Sequence, residues 1–310
     1  MKCVIVSLLI ACTSLYAQDE SALRQRIQQL ERRGEWERAV AGYETLTRLR
    51  PEDVGVARGF ARALSASGQH ERVVAHLDQW LQKHVDDHMA YLLLGDAYQQ
   101  MGRSDKAVKT WRRLLKIRPN DAASYQQVSD RCQAAGRTDA AIEVLVEGRA
   151  ALGDAQLFSW ELASLHLKAG LYTQAVDLLF QSIAQRPNRL PVVEHQLGPA
   201  CQNDGGALLQ ALSEQTWGDD PVPKARLMST CALFAGQAER GLEELIGQVS
   251  HPEVVELLYQ YASQSEARGF RDVAISAYGE YAGSSENASQ VFRALLKRAQ
   301  LSARGADSAQ

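Results

Sequence analysis

The chain has 310 residues, with 34 basic against 37 acidic side chains and a formal net charge of −3. That near-neutral balance argues against a nucleic-acid partner, whose phosphates select a strongly basic surface. Hydrophobic residues make up 45% of the chain, enough for a continuous core, and the 22 glycines and 8 prolines fall mostly at helix junctions.

The first twenty residues read MKCVIVSLLIACTSLYAQDE. A single Lys2, an apolar run from Cys3 to Ala11 and small residues up to Ala17 resemble a secretory signal over 1–17, cleaved before Gln18. The run is too short to span a bilayer as a stable helix. "LIAC" also resembles a lipoprotein processing box, which would leave Cys12 acylated and make the membrane a partner by that route alone. Both readings export the protein to the periplasm or beyond. If the leader is not a signal, the chain stays in the cytoplasm.

From residue 20 the chain repeats. Gly34, Gly68, Gly102, Gly136 and Gly170 stand at a constant interval of 34. Pro51, Pro119 and Pro187 each follow one of these glycines by 17, and Ala39, Ala107, Ala141 and Ala175 follow by five. A large residue follows by nine: Tyr43, Leu77, Trp111, Leu145 and Leu179. Within one period, Tyr91, Leu94, Gly95 and Tyr98 recur at three and four and so share a helix face over 88–101. Ala107, Trp111 and Leu114 do the same over 104–117. Gly102 marks a left-handed helix end, Pro119 stops the second helix, and Asp53, Asp87 and Asp121 stand where a carboxylate caps the next first helix.

Tyr91, Leu94, Gly95, Tyr98, Ala107, Trp111 and Pro119 resemble the pattern of the tetratricopeptide repeat (TPR) family, a 34-residue helix–turn–helix unit. The resemblance implies an all-α fold, a right-handed α-solenoid of about eight such repeats with a C-terminal capping helix. Five regular repeats would run over 20–53, 54–87, 88–121, 122–155 and 156–189. It also implies a protein–protein interaction scaffold with no catalytic role and no cofactor.

After Pro187 the phase slips. Residues 190–223 read as a degenerate pair, 190–203 and 205–216, with Pro199 kinking or ending its first helix and an irregular connector at 217–223. Gly236 and Gly269 restore regularity, giving divergent pairs over 222–250 and 254–282. Residues 285–303 read as an Asn- or Ser-capped terminal helix whose charged residues lie opposite Val291, Leu295 and Leu296, ahead of a disordered tail at 304–310. Cys132 takes the core slot that Tyr98 holds in its own repeat. Cys201 and Cys231 fall on neighbouring first helices, which permits a disulfide without establishing one.

Chemistry-bearing motifs are absent: no phosphate loop, no dinucleotide glycine motif, no H-E-x-x-H, no G-x-S-x-G and no paired C-x-x-C. His84 and His88 have metal-ligand spacing but straddle a helix junction beside Asp87, which favours junction polars over a metal site. His166 takes the Tyr98 slot of its repeat and reads as a half-buried, hydrogen-bonded side chain. The stretch 103–118 holds seven basic residues against Asp105, either a solvated helix surface or an anionic contact.

In stacks of the family it resembles, first-helix residues pointing away from the core line a concave groove. That geometry selects Arg24 and Gln28, then Arg58 and Arg62. It continues with Leu92, Asp96 and Gln99, then Gln126, Asp130 and Gln133, and last Trp160, Ser164 and Lys168. Trp160 could anchor an apolar side chain of a peptide or stack on a sugar. At the positions of the lysine–asparagine clamp that some family members use for chaperone C-termini, this chain has Arg24, Gln28, Gly59, Met89 and Leu93, which do not rebuild it. The expected partner is therefore a peptide or helix from an envelope assembly protein. A glycan contact in polysaccharide or peptidoglycan export is the alternative.

Overall fold

The computed structural model describes residues 19–307, with side chains over 19–303. The signal and lipidation readings at 1–17 lie outside these residues. Among the described residues the secondary structure is helical with no strand, and the chain divides after Ala155 into two compact units.

In the first unit, α1 (19–32) pairs with α2 (Trp36–Leu49), α3 (Val54–Ala66) with α4 (His70–Lys83), and α8 (Ala122–Ala134) with α9 (Thr138–Leu152). Between them, α5 (His88–Gln100) pairs with a second helix that breaks at Arg112 into α6 (Ser104–Trp111) and α7 (Arg113–Ile117). Each first helix after α1 starts on an aspartate: the carboxylates of Asp53, Asp87 and Asp121 accept from the backbone N–H of Val56, Ala90 and Ala123. The turn to each second helix passes through a glycine at positive φ, 71° at Gly102, where a Cβ would be strained. Tight helix approach sets the other glycines. A Cβ on Gly95 would overlap the Trp111 indole, and one on Gly59 would lie 2.6 Å from Tyr43 ring carbons.

In the second unit, α10 (Ser159–Lys168) pairs with α11 (Tyr172–Gln185), α13 (Val222–Phe234) with α14 (Ala238–Ile246), and α15 (Pro252–Ala267) with α16 (Arg271–Ser284). A short 3-10 turn, Pro187–Arg189, leads into α12 (Leu190–Glu214). The break in α12 falls at Asp204 (φ −148°, ψ 62°), between 190–203 and 205–216 as expected, while Pro199 neither kinks nor ends the helix. Asp204 shares the ψ of Glu35, Gln69 and Leu171, which open the second helices of regular pairs, and stands 34 after Gly170. The sixth pair thus keeps phase to its turn, compressed to one residue whose carboxylate lies 3.4 Å from the Ala207 N–H. Pro199 is accommodated because its ring faces solvent while Val193, Leu197 and Cys201 hold that helix to the core. Gly205 is needed for contact: a Cβ there would overlap that of Ala235.

Cys201 on α12 and Cys231 on α13 form a disulfide with Cα atoms 5.2 Å apart, inside the ordinary range. The connector buries Trp217, whose indole donates to the Leu212 carbonyl at 2.8 Å and meets Phe180 edge-on.

The C-terminal helix differs from expectation in two ways. α17 spans Ala288–Asp307, so residues 304–307 are helical rather than a disordered tail. Asn287 caps it through the Gln290 N–H. Its inward stripe is Ala294 and Leu301, while Phe292, Leu295 and Leu296 are 67%, 46% and 48% exposed. The outer face is therefore apolar, because the helix is rotated by about one residue relative to the expected stripe.

Candidate interaction surface

Positions one period apart on the first helices fall into columns, and the columns do different things. In the first unit Arg24, Arg58, Leu92 and Gln126 form one, and Trp160 stands one period further along the sequence, in the second unit. Arg24 donates to the Asp53 carboxylate at 2.8 Å, and Arg58 grips both oxygens of Asp87 at 2.7–3.2 Å. Each arginine thus reaches the aspartate that caps the next first helix, a separation of 29 residues in both cases. Trp80 also donates to Asp87, at 2.8 Å. Burial works to raise the Asp87 pKa, but Arg58 and the Ala90 and Trp80 N–H groups outweigh it and hold it below the usual carboxylate range. The Val56 N–H does the same for Asp53, helped by Arg24.

This column is consequently a seam between repeats rather than an open groove. Leu92 shows it most plainly: it is 1% exposed, so it cannot line a binding surface. An apolar residue in the slot where Arg24 and Arg58 lean on the next helix is buried there. Trp160, in the second unit, is half-buried and packs against the core cluster of α10–α13. Its indole serves that core first.

The column four residues on is freer. Gln28, Arg62 and Asp130 are exposed. Asp96 is half-exposed and joins two repeats, accepting from Trp111 Nε1 at 2.9 Å and Arg131 Nε at 3.0 Å. Gln126 donates to Asp130 at 2.9 Å, and Gln99 and Gln133 are half-buried beside this column. On α10, Ser164 is half-buried and Lys168 exposed. The structure brings Arg62, Asp96 and Asp130 onto successive first helices of the first unit, one basic residue followed by two acidic ones. No group of three or more His, Cys, Asp or Glu side chains is placed to hold a metal among the described residues. His84 stacks edge-on over Trp80 at 3.6 Å and approaches Glu52 at 3.1 Å, a junction contact.

Several partners escaped the sequence reading. Glu20 receives both Arg24 and Arg50. Arg112, in the basic stretch, is bound by Glu143 and Glu147 of α9, and Arg118 by Asp121, so part of that stretch is neutralised within the fold. The signal that could have found the seam is the twice-repeated Arg-to-Asp spacing. Cys132 is buried, and burial pushes its thiol up to about 11, which leaves it unreactive.

Two family models, each described as tetratricopeptide repeat, match residues 7–152 and 133–189. No curated protein matches the chain. Among solved structures, a tetratricopeptide repeat protein from Parabacteroides merdae is similar at 11% identity over 91% of this chain and 99% of that one, with a TM-score of 0.42. MamA from Desulfovibrio magneticus RS-1 is similar at 16% identity over 55% and 96%, TM-score 0.40. The Naa15/Naa10 complex bound to HypK-THB is similar at 16% identity over 86% and 43%, TM-score 0.45. Such distant likenesses speak to neither partner nor pathway. The 34-residue phase, the capped hairpins and the two matching repeat models together make this chain a member of the tetratricopeptide repeat family.

Proposed function

We propose that the chain is a non-catalytic interaction scaffold of the bacterial periplasm or cell envelope, holding a peptide or helix of an assembly partner on its first-helix face. The observation that carries the surface is the division of labour between columns. Arg24 and Arg58 are committed to cap aspartates, whereas Arg62 and Asp130, four residues along in the same columns of helices, are exposed with no core to serve. A basic residue followed by acidic ones on successive rigid helices suits an extended polypeptide with complementary charge.

The disulfide between Cys201 and Cys231 supports export, since such bonds persist in oxidising compartments. It is consistent with the signal-like leader at 1–17. A reporter fused to residues 1–25 should be exported, and a reporter retained in the cytoplasm would remove the compartment from the proposal. For the surface, affinity capture by the full chain with mass-spectrometric identification should give a partner that Arg62→Glu with Asp130→Lys no longer retains.

A further inference from the structure

Three large apolar side chains of α17 are exposed, Phe292, Leu295 and Leu296, whereas no other element among the described residues exposes more than one. At about 100° of turn per residue, these three fall with Ala299 and Ala303 within an arc of about 100°, opposite the Ala294 and Leu301 that face the core. Every member of the arc is exposed. Arg293 stands about 60° beyond one edge of it and Arg298 about 60° beyond the other. Both arginines are exposed, and no ion pair holds either among the described residues. Lys297, further round the helix, is spent on Glu266 at 3.2 Å. Residues 288–303 include no carboxylate.

An apolar ridge with a cation on each flank and no anion between them has the layout of a helix that lies on a lipid surface. The ridge suits the acyl boundary, while the guanidinium groups on either side reach lipid phosphates with their stems still on apolar surface. A second copy of α17 is a poor match, because pairing two such ridges in either direction sets cation against cation on both flanks. No described helix is long and apolar enough to cross a bilayer, so the contact runs along the surface. We propose that the outer face of α17 docks on an anionic lipid bilayer, with Phe292, Leu295 and Leu296 at the acyl boundary and Arg293 and Arg298 on lipid phosphates. This contact needs neither Cys12 nor the Arg62–Asp130 face, and it stands whether or not that face binds a partner.

The test is co-sedimentation of the full-length protein with lipid vesicles. It should partition saturably with phosphatidylglycerol vesicles and far less with phosphatidylcholine vesicles. Combining Phe292→Asp with Leu296→Asp should weaken the partition about tenfold or more. Arg293→Glu with Arg298→Glu should weaken it by a similar factor and remove the preference for phosphatidylglycerol. All four side chains are exposed, so an unchanged thermal midpoint keeps folding out of the comparison. Phe292→Trp reports from the site itself: phosphatidylglycerol brominated in its acyl chains should quench this variant beyond the wild type, whose five tryptophans lie elsewhere. Three results would overturn the proposal. One is equal partition of the wild type and the Phe292→Asp, Leu296→Asp variant, or no added quenching in Phe292→Trp. Another is equal partition into phosphatidylglycerol and phosphatidylcholine. The third is a dimer by light scattering that the Phe292→Asp, Leu296→Asp variant dissolves, with no vesicle binding.

Discussion

Asp87 is the best-connected side chain in the first unit, taking two guanidinium hydrogens from Arg58, the Trp80 N–H and the Ala90 backbone N–H. Replacing it by alanine removes a helix cap and strands a buried indole donor, so Asp87→Ala should cost about 3 kcal/mol in urea unfolding. Asp121→Ala, at a more exposed cap, should cost about 1 kcal/mol. The native pKa of Asp87 lies below its unfolded value, so its contribution is present above about pH 4 and is lost as pH falls through the lower, folded pKa. Wild type should therefore lose stability in acid more steeply than Asp87→Asn. A flat difference between the two from pH 6 to about pH 2.5 would contradict this assignment. Gly95→Ala tests the close approach: the added methyl meets the Trp111 indole and should cost about 1–3 kcal/mol.

At the level of elements, the regular hairpins were legible because three constraints recur in one phase. The positive-φ glycine, the cap aspartate and the large residue nine past the turn each have a local cause. α12 was less legible. Its turn has neither a left-handed glycine nor a loop, and although the split between 190–203 and 205–216 falls at Asp204 as expected, the helix runs through Pro199 without the expected kink. α17 was misread for a different reason. Both stripes of that helix are apolar, and sequence alone does not say which one meets α16. For the surface, the 34-residue period selected two columns alike, one that holds repeats together through Arg24 and Arg58 and buries Leu92, and one in which Arg62 and Asp130 stay exposed, since an arginine that locks two repeats looks in sequence like one that waits for a ligand. The disulfide ties α12 to α13 across a separation of 30 residues. Its removal by Cys201→Ser with Cys231→Ser should cost about 3–4 kcal/mol by the loop-entropy relation. Alkylation of the native oxidised protein should leave Cys132 unmodified, which intact mass would report.

For the molecule as a whole, the family supplies the general role, and the proposed site rests on the exposed columns. A repeat protein commits most of its polar side chains to joining neighbours, so the informative residues are those left over. In the first unit these are Gln28, Arg62 and Asp130, with Asp96 half-engaged. The most direct test is quantitative affinity capture with the wild-type chain, the Arg62→Glu, Asp130→Lys variant and the seam variant Arg58→Ala, alongside thermal unfolding of all three. The account predicts that the charge-reversal variant loses its partner while unfolding at the wild-type temperature, and that Arg58→Ala unfolds earlier yet still captures the partner while folded. A charge-reversal variant that captures the partner as well as wild type would contradict it.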